Sequence, residues 1–186
     1  MPLQPWKTLR THLLLDRSPR LRVLADDLLL PDGQVVEGYL RLEAPDYAVI
    51  IPVNDAGQVL FMRCYKRGVD AIDLQLPAGG IDPEESALEA AQRELREETG
   101  CQAAAWQDLG GYVVGGNMGI SRAHFFLATG CRQTSQPTAG DLEEQELVWA
   151  SLQDAQRWYQ AGNVYRQVST VAALGLAFAA MAGGGR

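Results

Sequence analysis

The chain has 186 residues, of which 47% are hydrophobic and 21% are charged, and its formal net charge at pH 7 is −7. This length and balance predict one globular domain with a proper core. The net negative charge argues against a general surface for nucleic acid or anionic membranes. The apolar runs are shorter than the roughly 20 residues that span a bilayer.

Residues 1–45 are expected to form a small antiparallel hairpin or meander ahead of the main domain. The runs at 21–30 and 35–44 are apolar and strand-like, and a Pro-Asp-Gly turn at 31–33 separates them. The boundary of this N-terminal element is placed before residue 46, where a more strongly apolar region begins.

Two further features predict a cytoplasmic location. The N-terminus has a short Leu run but neither a long apolar region nor a small-residue cleavage site, so no signal peptide is expected. Cys64, Cys101 and Cys131 are widely separated and lack metal-ligand spacing. Such cysteines are typical of reduced, structural thiols in a cytosolic protein.

Residues 46–182 are expected to form one domain in which strands, a helix, more strands and two helices follow one another. Strands are predicted at 48–53, 58–66, 74–80, 109–116, 123–131 and 146–152. Helices are predicted at 82–100, between the third and fourth of these strands, and then at 151–162 and 168–182. This order favours an α+β fold, in the form of an α/β/α sandwich, over a doubly wound sheet.

The segment 82–100 carries start and stop signals of a helix of about 17 residues. Asp82 is a good N-cap, and Pro83 suits the first helical position. Glu85 falls at the third position, where its carboxylate can reach back to the Asp82 amide. Gly100 supplies the left-handed residue that ends the helix.

Acidic side chains lie on the wrong side of this helix for simple solvation. At about 100° per residue the polar side carries Glu89, Gln92, Arg96 and Thr99. The packed side carries Leu88, Ala91 and Leu95, with Ala87 and Ala90. Glu94 and Glu98 project from the packed side, and Glu97 lies at its edge. Because like charges at these spacings repel and lose solvation, a divalent cation is expected there, and oxygen ligands favour Mg²⁺ or Mn²⁺ over zinc. A solvated glutamate-rich face is the alternative.

The spacing of residues 79–101 resembles the Nudix box. That box has the pattern Gly, five residues, Glu, seven residues, Arg-Glu-apolar-any-Glu-Glu-any-Gly-apolar. The matching residues are Gly79, Glu85, Arg93, Glu94, Leu95, Glu97, Glu98 and Gly100. Cys101 stands where an aliphatic residue is usual, and it packs as a small hydrophobe. The resemblance implies the mixed-sheet α/β/α sandwich of that family and hydrolysis of a nucleoside diphosphate linked to another group.

The resemblance also implies roles for the residues of the box. Glu94 and Glu98 are the expected metal ligands, with Glu97 as a ligand or as the residue that orients a metal-bound water. The backbone carbonyl of Ala78 is a further expected ligand, by similarity to the ADP-ribose-cleaving members. Arg93 is expected to orient Glu97 through an i, i+4 pair. A metal site without a Ser, Cys or His nucleophile suits attack by activated water.

Features outside the box resemble the ADP-ribose and nucleotide-sugar pyrophosphatase branch of the family. Residues 63–67 end a strand that lies ahead of the Leu-Pro-Ala-Gly-Gly sequence at 76–80. In the branch, the corresponding strand ends in Gln-Tyr-Arg. Lys66 or Arg67 is therefore expected to bind a phosphate, with a solvated basic turn as the alternative. Gln75 departs from the branch, which usually has Glu at that position.

An acidic loop at 140–146 lies where the branch carries a mobile catalytic glutamate. Glu143 or Glu144 is the candidate base that deprotonates the attacking water, and a merely solvated loop is the alternative. Gly and Asn residues at 115–117 replace a proline that is often associated with ADP-ribose substrates. This departure leaves GDP-mannose, UDP-glucose and other nucleotide sugars open.

The expected function is Mg²⁺-dependent cleavage of ADP-ribose, or of a related nucleoside diphosphate sugar, to a nucleoside monophosphate and a sugar phosphate. The alternatives are another Nudix pyrophosphatase, acting for example on a nucleoside triphosphate, and a nucleotide-sugar sensor without turnover. By resemblance to the branch, the N-terminal strands are expected to form a homodimer in which Trp6 or Tyr39 stacks on the base. No nucleic-acid or membrane partner is expected.

Overall fold

The computed structural model describes residues 3–138 and 144–183. The strands are β1 (Lys7–Arg17), β2 (Leu21–Leu29), β3 (Val35–Glu43), β4 (Tyr47–Val53), β5 (Gln58–Lys66), β6 (Ala71–Gln75), β7 (Ala78–Gly80), β8 (Cys101–Gln102), β9 (Ala105–Val114), β10 (Ser121–Thr129), β11 (Arg132–Gln133) and β12 (Gln145–Ser151). The helices are α1 (Ala87–Thr99), α2 (Leu152–Ala161) and α3 (Val168–Gly183). The chain divides into two compact units, Met1–Asp46 with Tyr112–Arg122, and Tyr47–Gly111 with Ala123–Arg186.

The first unit is built on an antiparallel three-stranded sheet in which β2 lies between β1 and β3. The segment 112–122 joins β3, because the amides of Leu42 and Ala44 donate to the carbonyls of Met118 and Ile120 at 3.0 and 2.8 Å. The loop at 115–117 that departs from the branch therefore belongs to this unit. Strands β2 and β3 lie where the sequence predicted them.

Strand β1 was not predicted. Every one of its residues is exposed, and Leu9, Leu13 and Leu14 keep 50%, 52% and 57% of their surface accessible. Charged residues interrupt its leucines, so it lacks the strict alternation that marks a half-buried strand. It forms through its ladder with β2, which is a pairing that the local sequence does not reveal.

A buried carboxylate links the three strands of this sheet. Asp26 is 5% exposed, accepts a hydrogen bond from the Thr11 hydroxyl at 2.6 Å and one from Nε of Arg41 at 2.8 Å. These bonds, the one from Arg41 first, hold the pKa of Asp26 below its usual value. The paired charge and the filled acceptor sites offset the cost of burying the carboxylate.

The second unit contains a seven-stranded mixed sheet with the order β12-β5-β4-β10-β9, to which β6 adds beside β5 and β7 beside β4. Strands β4 and β10 are parallel, whereas β5 is antiparallel to β4, β6 and β12. The mixed sheet confirms the predicted fold class. The predicted strand at 74–80 is two strands, β6 and β7, and the short β8–β11 ladder was not predicted.

Helices cover both faces of this sheet. Leu60 belongs to a buried cluster with Ala90 and Leu95 of α1. Its neighbour Phe61 points to the opposite face, because side chains alternate along a strand. There its ring lies 6.4 Å from that of Trp158 on α2, and a second aromatic ring, that of Tyr165, is stacked on it at 5.6 Å. The arrangement is the predicted α/β/α sandwich.

Helix α1 begins later than predicted. Its N-cap is Ser86, whose Oγ accepts from the Glu89 amide at 3.2 Å, while the Glu89 carboxylate accepts from the Ser86 amide at 2.8 Å. The predicted bond from the Asp82 amide to Glu85 does form, at 2.9 Å, but within a turn ahead of the helix. The sequence holds two capping patterns, and the one that makes the reciprocal pair starts the helix.

The end of α1 and most of its packed face agree with the sequence prediction. Gly100 is left-handed with φ 70°, and Ala91 and Leu95 are fully buried. Thr99 was expected on the solvent side, yet it is buried and its hydroxyl donates to the Leu95 carbonyl. Leu88 was expected on the packed side but is 38% exposed, since it lies in the first turn of the shorter helix.

The remaining elements follow the predictions closely. Helix α2 is capped by Ser151 and ends at Gly162, which is left-handed with φ 71°. All three cysteines are buried thiols, and burial raises the pKa of Cys131 to about 12. The described part of the chain contains no helix with the length and hydrophobicity of a membrane span.

Candidate active site

The box begins on strand β7, which pairs with β4 and leads through a turn into α1. A Cβ atom on Gly79 would lie 2.0 Å from the carboxyl carbon of Glu94. The missing side chain therefore lets the Glu94 carboxylate lie directly against the strand. A Cβ on the next residue, Gly80, would meet nothing within 4 Å. The close approach thus concerns the first glycine only.

Arg93 gathers the acids of the box around its guanidinium. Its Nη1 donates to Oε1 of Glu94 at 2.6 Å and to Oε2 of Glu97 at 3.2 Å. Its Nη2 donates to Oε1 of Glu85 at 2.6 Å and to the Gly80 carbonyl at 2.8 Å. The bond to Glu85 is the largest cause of a raised pKa of Arg93, and it also lowers the pKa of Glu85. The i, i+4 contact expected between Arg93 and Glu97 is present, together with pairs that spacing alone did not indicate.

Glu98 is held at both its side chain and its backbone. The residue is 6% exposed, and its Oε2 accepts from the Ala78 amide at 2.9 Å. Its carbonyl accepts from Nε2 of Gln145 at 2.7 Å, and the preceding carbonyl, that of Glu97, accepts from the Thr138 amide at 2.8 Å. Gln145 and Thr138 were not singled out in the sequence, because tertiary contacts of this kind have no local signal.

The donor set fits a hard divalent cation. Carboxylates and backbone carbonyls are ligands that Mg²⁺ and Mn²⁺ take, and Glu94, Glu97, Glu98 and Ala78 carry such groups. Two of these carboxylates lie within 3.2 Å of one Arg93 nitrogen. Within residues 3–138 and 144–183, no group of three or more His, Cys, Asp or Glu side chains is close enough to hold a metal ion. The positively charged group that contacts Glu94 and Glu97 in this structure is the guanidinium of Arg93.

The residues expected to bind phosphate lie at the end of β5. Lys66 is the last residue of that strand and is opposite Ala71 in the ladder with β6. Nη1 of Arg67 donates to Oδ1 of Asp70 at 2.9 Å, and both side chains are strongly exposed. Asp70 thus binds the guanidinium within a tight surface turn.

The two aromatic residues expected to contact a base lie together in the first unit. The rings of Trp6 and Tyr39 are perpendicular with centroids 5.7 Å apart. Trp6 is 53% exposed, so a large aromatic surface is available beside the N-terminal sheet.

Of the two candidate bases, Glu143 lies outside the described residues. Glu144 lines an open cavity of about 500 Å³ together with Arg63, Tyr65 and Glu146. Glu146 is opposite Arg63 in the β5–β12 ladder and forms an ion pair with it at 3.3 Å.

Comparison with known proteins places this site in a family. The NUDIX domain model matches residues 44–169. The chain is 28% identical over 152 residues to an ADP-ribose pyrophosphatase from Mycobacterium tuberculosis (strain ATCC 25618 / H37Rv), which covers 80% of this chain and 72% of that relative. It is 24% identical over 170 residues to a methanol dehydrogenase activator from Bacillus methanolicus, with 89% of both chains covered. A crystal structure of an ADP compounds hydrolase has a TM-score of 0.86 at 26% identity and covers 100% of this chain and 99% of that one.

The matched segment includes the box, the helix that carries its acids and every strand of the mixed sheet. The likeness to a solved hydrolase extends over the whole length of both chains. The chain therefore belongs to the Nudix family and is a Nudix hydrolase.

Proposed function

We propose that this Nudix hydrolase cleaves the pyrophosphate of ADP-ribose, or of a related nucleoside diphosphate sugar, to a nucleoside monophosphate and a sugar phosphate. The observation that carries the proposal is the convergence of Glu94 and Glu97 on one nitrogen of Arg93. The names of two relatives, an ADP-ribose pyrophosphatase and an ADP compounds hydrolase, support a substrate that contains ADP.

Glu94, Glu97, Glu98 and the Ala78 carbonyl would hold Mg²⁺ or Mn²⁺. Such an ion, when bound, lowers the pKa of a water molecule and neutralises charge on phosphate oxygens. Glu98 contributes a carboxylate that the Ala78 amide already orients. Arg93 offsets the repulsion among the acids and orients Glu97.

A carboxylate must accept the proton of the attacking water. The Glu97 side chain is 39% exposed, against 14% for Glu94, so it is the more accessible of the two to water. We assign Glu97 to orienting the water and a glutamate of the acidic loop, Glu143 or Glu144, to accepting its proton. Comparison of Glu143→Gln with Glu144→Gln distinguishes them, because only the variant that lacks the base loses the acidic limb of the pH–rate profile.

Residues outside the box are also proposed to bind the substrate. Lys66 or Arg67 contacts a phosphate, and in the homodimer Trp6 or Tyr39 stacks on the base. The N-terminal strands, residues 1–45, form a homodimer through the exposed edge strand β1, and residues 46–182 form the hydrolase domain. The exposed leucines of β1 support the dimer, since apolar surface on an edge strand favours pairing with another chain.

The test is a hydrolysis assay of the full chain with ADP-ribose, GDP-mannose, UDP-glucose and nucleoside triphosphates, with Mg²⁺ or Mn²⁺, and with products identified by mass spectrometry. The expected result is AMP and ribose 5-phosphate, formed fastest from ADP-ribose. Faster cleavage of another nucleotide sugar would show that this sugar is the preferred substrate and would leave the proposed mechanism unchanged. Tight binding of these compounds without any product would refute the hydrolase proposal and favour a nucleotide-sugar sensor. A Glu94→Gln/Glu98→Gln double variant measures the background from contaminating phosphatases.

A further inference from the structure

We propose that Gln145 is a positioning residue, which fixes the C-terminal end of α1 and thereby the Glu98 carboxylate for a divalent cation. This inference rests on the proposed function, because it concerns the acids to which that function assigns the metal. Gln145 lies outside the box and in a different element, at the first position of β12.

The last carbonyls of a helix have no partner within it and need one from elsewhere. In α1 two consecutive carbonyls, those of Glu97 and Glu98, are bonded by residues on either side of segment 139–143. The Thr138 amide donates to the first at 2.8 Å, and Nε2 of Gln145 donates to the second at 2.7 Å. The second bond comes from a side chain, so a substitution can remove it without changing the backbone.

The register of the sheet sets the direction of the Gln145 side chain. Gln145 is opposite Cys64 in the β5–β12 ladder, and Cys64 is 2% exposed. Residues directly opposite one another share a face of the sheet, so the Gln145 side chain lies on the same face as the buried Cys64. The next residue, Glu146, lies on the other face, where it pairs with the exposed Arg63. A shift of one residue would exchange the two side chains and remove the bond to Glu98.

Glu98 is consequently fixed at two points, its backbone carbonyl and its side-chain carboxylate. Gln145 bonds its carbonyl, and the Ala78 amide bonds its carboxylate at 2.9 Å. A ligand that is already held in place loses less freedom when it binds a metal. Without the Gln145 donor, the Glu98 carbonyl loses this side-chain partner, and the Glu98 carboxylate is less well oriented.

The experiment compares Gln145→Met, which keeps the length of the side chain but has no donor, with Gln133→Met, the same change at an exposed position of β11. Binding of Mn²⁺ to the full chain is measured by electron paramagnetic resonance. The kcat and KM for ADP-ribose and the thermal unfolding of each variant are measured in parallel. For Gln145→Met we expect Mn²⁺ affinity and kcat to fall about tenfold or more, as for outer partners of metal ligands, with KM little changed. Gln133→Met should match the unmodified chain.

A Gln145→Met variant that unfolds at lower temperature but binds Mn²⁺ and turns over like the unmodified chain would show a purely structural role and overturn the proposal. If that variant does not fold, Gln145→Asn decides, since it keeps the amide but is too short for the same bond and should also bind Mn²⁺ more weakly. If no nucleotide sugar is cleaved by the unmodified chain, the proposed function fails, while the Mn²⁺ measurements still decide the role of Gln145. Absence of Mn²⁺ binding by the unmodified chain would overturn both.

Discussion

Single residues of the box are held by charge pairing, and Arg93 is central to it. Its guanidinium contacts Glu85, Glu94 and Glu97 on α1 and the turn before it, and it reaches the Gly80 carbonyl on β7. Removing the arginine would leave three half-buried carboxylates without their shared counter-charge, and like charges this close together repel one another. The arginine of the box therefore has a structural role even before a metal binds.

Glu97 provides the most direct test of catalysis at the residue scale. Glu97→Gln keeps the size and a polar contact to Arg93 but removes the charge, so folding should be nearly unchanged. Because the attacking water is then less well oriented, kcat should fall by about 10². The measurement is kcat for ADP-ribose at saturating Mg²⁺, with the exposed Glu84→Gln as the control. An unchanged kcat in Glu97→Gln would refute its catalytic role.

Substitution by alanine should have different consequences at the two glycines of β7. In Gly79→Ala the new Cβ meets the Glu94 carboxyl carbon at 2.0 Å and must displace it, whereas in Gly80→Ala it enters open space. Because the obstructing atoms end a flexible side chain, we expect the free energy of unfolding to change by less than about 1 kcal/mol. Mn²⁺ affinity should fall about tenfold in Gly79→Ala only. Equal Mn²⁺ affinities of the two variants would contradict this explanation of the box glycine.

At the scale of elements, the end of α1 depends on Gly100 for two reasons. Its φ of 70° costs an L-residue about 1–2 kcal/mol, and a Cβ there would lie 2.1 Å from the Ser135 carbonyl oxygen. Gly57 has nearly the same φ, 72°, but open space around it. We therefore expect Gly57→Ala to lose about 1–2 kcal/mol and Gly100→Ala to lose clearly more, measured by urea denaturation. Equal losses would show that the loop at Ser135 moves aside freely.

The stability of the N-terminal sheet should depend on pH because of Asp26. Its folded-state pKa is lowered, by Arg41 first and then by Thr11. A lowered folded pKa contributes stability above the unfolded value of about 3.9, and this contribution is lost as pH falls through the folded pKa. Asp26→Asn should therefore be less stable than the unmodified chain at pH 7, with the difference shrinking below about pH 4. Urea midpoints between neutral and acidic pH test this, and a difference that stays constant would exclude Asp26 as the cause.

For the whole molecule, the proposed dimer makes a prediction about the exposed leucines of β1. Leu13→Lys/Leu14→Lys places charges on the edge strand, where desolvating them would oppose association. Light scattering should show a dimer for the unmodified chain and a monomer for this variant. Val168→Lys changes an 83% exposed residue in the second unit and should leave the dimer intact. A monomeric unmodified chain at assay concentration would refute the dimer.

Much of the fold was determined by the sequence alone, because local signals specify many of the helices and strands that are present in the tertiary structure. The strands predicted at 48–53 and 58–66 and the two C-terminal helices agree with the structure to within a residue or two. Strand β1 could not be predicted because its exposed residues lack an alternating pattern. The β8–β11 ladder could not be predicted because it joins two very short segments, 101–102 and 132–133, that are far apart in the chain. The start of α1 was misplaced because Asp82 and Ser86 each carry a capping pattern, and only the finished turn selects between them.

The site divides in the same way. The spacing of Glu94, Glu97 and Glu98 on one helix is a property of the sequence, and it predicts a cation site. The full pattern of the box at 79–101 was needed to predict the family. Only the tertiary structure decided that the Ala78 amide bonds Glu98 and that Gln145 bonds its carbonyl. The physical reason is distance along the chain: helical geometry relates residues three or four apart, whereas contacts across tens of residues depend on the register of the sheet and the packing of the helix against it.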